Sequence, residues 1–157
     1  MRSWARRRGL DFDDSGQMAG IEALPFGFLI FVAGALLLAN AWAVVDAKLA
    51  VTAAAREATR AYVEAASADA AEMAAVNAGR GSVRGHGRDP DDLALLIETA
   101  SGFGRCSRVQ VHASVSVPSV NLPFIGGFGR TFDVSTSHSE IVDPYRSGLE
   151  GEASCAE

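Results

Sequence analysis

The feature that most constrains this chain is an uncharged apolar run near its amino terminus. Residues 23–45 read ALPFGFLIFVAGALLLANAWAVV, with no charged side chain and one strongly polar one, Asn40. A hydrocarbon core of roughly 30 Å needs about 20 helical residues at about 1.5 Å each. The apolar run, residues 23–45, is therefore long enough to cross a bilayer once, and it predicts a transmembrane helix.

The charges that flank the apolar run predict its orientation. Four arginines precede it, whereas Lys48, Arg56 and Arg60 follow it. An excess of Lys and Arg favours the cytoplasmic side of a span. Both cysteines lie after the run, which suits an oxidising compartment. We therefore expect a single-pass protein with residues 1–22 as a cytoplasmic, leader-like segment and an extracytoplasmic carboxyl end.

Two other interpretations of the apolar run compete with a membrane span. A signal peptide cut at the small residues of Ala39–Ala43 would release a secreted protein, but signal h-regions have about 7–15 residues. The acidic stretch DFDD at residues 11–14 also interrupts the usual signal layout. A buried helix of a soluble protein would need more apolar surface around it than so short a chain offers. A membrane span is favoured over both.

The segment that follows the run has the composition of a helix. Residues 46–78 contain no proline and no glycine and are dominated by alanine, the best helix former. They predict an extracytoplasmic helix that continues the span and packs its narrow apolar face on another helix or on its own carboxyl-terminal domain. Gly79 is a C-cap candidate. The glycines and arginines of residues 79–89 predict a flexible linker, since the ending of a phosphate-binding loop is absent.

Residues 90–157 predict a small extracytoplasmic head. Asp89 and Pro90 indicate the start of a short helix that Gly102 closes. Its apolar face would consist of Leu93, Leu96, Ile97 and Ala100. Alternating apolar residues in 108–117 and from Phe132 to Val142 predict two strands. The strands pair most simply as an antiparallel β-hairpin or a small sheet, which a helix must cover. The predicted fold class is α+β.

The residue types and motifs of the sequence argue against nucleic-acid binding, metal binding and catalysis. The net charge of −5 provides no large basic surface for nucleic acid. The chain has no C-x-x-C pair, no G-x-S-x-G and no H-E-x-x-H sequence. His138 lies beside Ser137, Ser139 and Glu140, but neighbours along a strand point to opposite faces and do not assemble a triad. We expect no enzyme activity, catalytic residue, cofactor, metal or small-molecule substrate.

The two cysteines, Cys106 and Cys155, predict a disulfide. They are the only cysteines and both lie on the side assigned to the outside, which suits one internal bridge. A bridge between neighbouring subunits and two free thiols are the alternatives. An internal bridge would close a loop of 49 residues and stabilise a small head by roughly 4 kcal/mol.

Glu22 stands at the amino-terminal edge of the apolar run, where an ionisable group calls for a partner or for water. It lies either at the membrane interface in water or against a positive group of another subunit.

Residues 14–65 resemble the TadE-like pseudopilins, pilin-like proteins of tight-adherence pilus systems. The matching residues are GQMAGIEALP at 16–25, the apolar helix, and AAREATRA at 54–61. The resemblance implies a minor pseudopilin in the bacterial cell membrane, a structural or assembly component that meets other pilin-like subunits through its amino-terminal helix. It also implies processing after Gly16, which would make Glu22 the sixth residue of the mature chain where the family usually has the fifth. A membrane-anchored extracytoplasmic binding domain unrelated to pili, and a secreted protein, are the rival functions.

Overall fold

The computed structural model describes residues 15–118, 121–122, 126–127, 131–151 and 154–155, and only the backbone of 15–22, 121–122 and 126–127. The chain forms two compact units, Met1–Leu38 and Ala39–Glu157; we call the second the folded unit. The helices are α1 (Ser15–Val63) and α2 (Ala68–Gly85), followed by a 3₁₀ turn (Pro90–Asp92). The strands are β1 (Leu93–Thr99), β2 (Arg108–Val117), β3 (Asn121–Leu122), β4 (Gly126–Gly127) and β5 (Phe132–Ile141). The α+β class is confirmed.

The main sheet is antiparallel, with β2 between β1 and β5, while β3 and β4 form a separate two-stranded pair. The alternation that predicted β2 and β5 is confirmed, because every second residue of β2, from Val109 to Val117, is buried. Val115 is paired with Leu93 of β1 on one side and with Val134 of β5 on the other. The sheet therefore presents one apolar face, formed by all three strands, to the helices.

Both helices cover that face with small side chains. The buried residues of α1 are mostly alanines: Ala47, Ala50, Val51, Ala54, Ala55, Ala58, Thr59 and Tyr62. The buried residues of α2 are Ala71, Ala75, Gly79 and Val83. Ala47 and Val51 share a cluster with Val115 and Val117, whereas Ala58 and Tyr62 share one with Val109 and Val111. The carboxyl half of α1 therefore runs along the sheet in the direction opposite to β2.

The predicted short helix at residues 90–102 is wrong. Only Pro90–Asp92 is helical, as a single 3₁₀ turn that the Asp89 carboxylate caps by accepting from the Asp91 N–H. Residues 93–99 are strand β1, in which Leu93 is buried and Leu96 exposed. A short apolar run fits a helix or a strand equally well by composition. Here residues 93–99 form a strand because antiparallel pairing with β2 supplies hydrogen-bond partners for their backbone.

The predicted single helix over 46–78 and the flexible linker over 79–89 are also wrong at their boundaries. Helix α1 ends at Val63, and α2 begins after Ser67, whose hydroxyl accepts from the Ala70 N–H. Helix α2 then continues through Gly79 and Gly81 to Gly85. Residues 79–85 of the predicted linker are helical because Gly79 and Val83 are buried against the rest of the folded unit, and tertiary packing outweighs the low helix propensity of glycine.

The disulfide between Cys106 and Cys155 is confirmed as an internal bridge. It belongs to a set of contacts that hold the carboxyl-terminal tail on the folded unit. The Arg146 guanidinium donates to the carbonyls of Val63, the last residue of α1, and of Glu64. The Arg105 N–H donates to the Glu150 carbonyl at 2.9 Å. The tail thereby supplies partners for carbonyl groups that a helix end leaves without one.

Candidate functional site

The amino-terminal half of α1 exposes its apolar side chains. Eight large apolar side chains between Leu24 and Leu38 are exposed, each with 64–73% of its surface accessible. The helix over Ala23–Val63 is long and apolar enough to cross a membrane, and none of its most apolar window is buried. Burying one such side chain is worth about 1.5–3 kcal/mol. An exposed apolar surface of this extent marks a contact with a membrane or with other proteins.

The carboxyl end of the apolar run is bounded by three charged side chains with defined partners. Asp46 Oδ2 accepts from Arg88 Nη2 at 2.9 Å and from Arg88 Nε at 3.2 Å. Arg88 Nη2 also donates to the Ala43 carbonyl at 3.1 Å. One residue beyond buried Ala47, Lys48 Nζ donates to the Ser135 carbonyl of β5 at 2.5 Å. These contacts place charged groups along α1 from the Ala43 carbonyl to Lys48.

Sequence reasoning missed the roles of Arg88 and Lys48. Arg88 falls in the stretch predicted to be a linker, and Lys48 counts there only as a flanking charge. The one signal in the sequence was Asp46, the first charged residue after the apolar run, which calls for a positive partner near a membrane surface. Only the fold shows that this partner comes from a residue 42 positions further on.

The residues predicted for processing and assembly, Gly16 and Glu22, both lie within α1. The Glu22 side chain is outside the described part of the structure. Its position at the start of the apolar run therefore remains a statement about the sequence. The predicted roles of both residues stay predictions.

Two of the three histidines lie beside a glutamate. His112 Nε2 lies 3.4 Å from Glu98 Oε2, and His138 Nε2 lies 3.2 Å from Glu140 Oε1. Ser137 is paired with His112, and His138 with Val111, so the serine and His138 lie on opposite faces of the sheet. His86 follows α2 as its C-cap. Over the described residues, no group of three or more His, Cys, Asp or Glu side chains could hold a metal ion.

The face of the sheet opposite the helices carries a shallow depression. Its lining consists of small and polar side chains together with Leu96, and includes Ala94, His112, Ser114, Ser135 and Ser137. Two side chains of α1 have a raised pKa. Burial, and then the Glu72 carboxylate, raises the pKa of Tyr62. The hydrogen bond and charge of Glu64 raise the pKa of Arg60.

Comparison with known proteins finds no matching family model, no similar curated protein and no similar solved structure. The resemblance to TadE-like pseudopilins is thus a prediction that depends on residues 14–65 of the sequence. The structure adds that the two halves of α1 differ: the first exposes apolar side chains, and the second packs on a sheet.

Proposed function

We propose that this protein is a minor pseudopilin of a tight-adherence type pilus or a related secretion system, anchored in the bacterial cell membrane by residues 23–45. The observation that carries the proposal is the division of α1. Its first half exposes large apolar side chains, and its second half buries alanines against a three-stranded sheet. One helix thus supplies both a membrane anchor and the foundation of an extracytoplasmic head.

Membrane anchoring is supported by where the polar contacts begin. No charged residue occurs between Ala23 and Val45, and the Asp46–Arg88 pair follows at once. In a bilayer, an apolar helix of this length removes its side chains from water without any partner protein. The arginines before the run favour a cytoplasmic amino terminus, and the internal disulfide favours an extracytoplasmic head.

Assembly with other pilin-like subunits is supported by the sequence resemblance and by Glu22. A carboxylate at the edge of a span is costly without a partner. In an assembly through amino-terminal helices, a positive group of a neighbouring subunit would provide that partner. The rival function, a membrane-anchored binding domain, is supported by the depression on the free face of the sheet. The pseudopilin function requires Glu22 for assembly, whereas the binding-domain function does not.

Topology is the first test. Protease added to intact spheroplasts should digest the folded unit from Asp46 onward and leave residues 1–22 protected. An epitope at each end of the chain reports the outcome by immunoblotting, and permeabilised cells provide the control for protease access. Protection of the carboxyl end, or recovery of a soluble fragment that begins near Trp42, would contradict the anchored orientation.

Assembly is the second test, in cells that also make the rest of the pilus system. Glu22→Ala should leave the amount in the membrane unchanged and lower the amount in sheared pili or in crosslinked complexes by roughly tenfold or more. Breaking a buried ion pair costs a few kcal/mol, and about 1.4 kcal/mol is tenfold. Glu72→Ala, the same change at an exposed position of α2, is the matched control. Equal recovery of both variants would favour the binding-domain function.

A further inference from the structure

We propose that the folded unit makes a second contact with the bilayer, through the end of the sheet where β2 finishes and β5 begins. Phe132 is its central side chain. The partner is the boundary between headgroups and acyl chains in the leaflet that Trp42 reaches. This contact rests on the membrane anchoring proposed above, and it adds a surface that the transmembrane helix does not supply.

The inference depends on which part of α1 lies beside this end of the sheet. Val117, the last residue of β2, is paired with Phe132, the first of β5. Val117 is buried in the same cluster as Ala47, and Ala43 packs against that cluster. Ala43 lies within the apolar run. The Val117–Phe132 pair therefore lies beside the last turns of the segment proposed to be in the membrane.

The opposite end of the sheet lies far from Ala43 along α1. Tyr145 follows β5, and the next residue, Arg146, donates to the Val63 carbonyl at the end of α1. Twenty residues separate Ala43 from Val63 along the helix, which corresponds to about 30 Å. A membrane that reaches Ala43 thus comes near Phe132 and stays away from Tyr145.

The side chains at the near end suit a lipid interface. Phe132 has 56% of its surface exposed although it is aromatic, and Trp42 has 73%. Aromatic residues are enriched where a membrane meets water.

The charges near this end indicate which property of the lipid it recognises. Asp46 is paired with Arg88, and Asp133 Oδ1 accepts from Ser116 Oγ at 2.7 Å. The exposed carboxylates of Asp91 and Asp92 add negative charge nearby. Lys48 adds a positive charge here through its contact with the Ser135 carbonyl, but these four aspartates accompany Lys48 and Arg88, so attraction to anionic headgroups does not drive the contact. Insertion of apolar side chains does, so zwitterionic lipid suffices and salt has little effect.

Depth-dependent fluorescence quenching tests this contact in the full-length protein, reconstituted in zwitterionic vesicles. Lipids brominated near the headgroups or near the bilayer centre quench tryptophan at matching depths. Three single-tryptophan proteins are compared: Trp4→Phe, which retains Trp42, and the Trp4→Phe/Trp42→Phe background carrying either Phe132→Trp or Tyr145→Trp. Both new tryptophans replace exposed aromatic residues, so the fold should tolerate them.

We expect shallow bromines to quench the tryptophan at position 132 several-fold more than the one at position 145, with a blue-shifted emission that high salt does not reverse. Quenching of Trp42 without quenching at position 132 would overturn this contact and leave the anchor intact. If Trp42 itself escaped quenching, membrane anchoring would be wrong. Protection of position 132 from aqueous acrylamide without lipid quenching would assign the surface to a second copy of the chain and also overturn the proposal.

Discussion

Arg88 joins the end of α2 to the turn of α1 where the apolar run finishes. Its Nη2 atom lies 2.9 Å from Asp46 Oδ2 and 3.1 Å from the Ala43 carbonyl oxygen. The Arg88 side chain is only 20% exposed, so the contact is partly shielded from water. A charged fork that binds a carboxylate and a helix carbonyl together fixes how α2 returns to α1.

Arg88→Ala should lower the free energy of unfolding by about 1–3 kcal/mol, the range for losing hydrogen bonds to a charged group. Arg80→Ala is the matched control, because Arg80 Nη2 lies 4.0 Å from Asp91 Oδ1 and its side chain is 49% exposed. An exposed pair of that kind is worth at most about 1 kcal/mol. Urea unfolding of the detergent-solubilised protein, followed by circular dichroism, measures both. Equal losses would show that the Asp46 contact adds nothing specific.

Two glycines of α2 should respond differently to alanine. A Cβ at Gly79 would lie 2.9 Å from Leu95 Cδ1 and 3.4 Å from Leu93 Cδ2, whereas a Cβ at Gly81 meets no atom within 4 Å. Gly81→Ala should stabilise the protein by up to about 1 kcal/mol through helix propensity. Gly79→Ala should lose that gain to the displacement of Leu95, and Gly79→Val should cost about 1–3 kcal/mol.

Thermal unfolding of the three variants in the same detergent ranks them directly. The expected order of stability is Gly81→Ala, then wild type, then Gly79→Val, with Gly79→Ala below Gly81→Ala. A Gly79→Val protein as stable as wild type would mean that α2 does not approach β1 as closely as described.

Removing the disulfide should destabilise the folded unit substantially. The bridge spans 49 residues, for which chain entropy gives about 4 kcal/mol. The double variant Cys106→Ser/Cys155→Ser should unfold at correspondingly lower urea concentration than the oxidised protein. Mass spectrometry after alkylation should find no added group without reductant and two with it. Alkylation of native protein without reductant would contradict the bridge.

Stability should fall at alkaline pH through Tyr62. Burial raises the pKa of Tyr62 in the folded protein, while in the unfolded chain it ionises near its ordinary value of about 10. The unfolded state therefore loses its proton first, and the contribution of Tyr62 is complete below about pH 10 and declines as pH rises further. Tyr62→Phe should flatten this decline, and Tyr145→Phe, at an 82% exposed position, should not. Parallel pH profiles for all three proteins would contradict the assignment.

The sequence alone predicted the parts whose signal is local and strong. A long uncharged stretch, the alternation of Val109 to Val117, and two cysteines without a third each allow few structures. The apolar helix, strands β2 and β5 and the Cys106–Cys155 bridge follow from them. In each case the residues themselves carry the physical reason: a long uncharged apolar stretch, side-chain periodicity, and a pair of cysteines with no third.

Tertiary structure decided the parts whose local signal was ambiguous or misleading. Residues 93–99 became a strand because β2 offered backbone partners, although their composition equally suits a helix. Residues 79–85 became helical because Gly79 allows α2 to approach Leu95 closely, although glycine alone disfavours a helix. Arg88 reaches Asp46 because α2 returns along α1. No local sequence pattern encodes a contact between residues so far apart in the chain. Contacts between residues far apart in sequence outweigh local propensities of about 1 kcal/mol or less per residue.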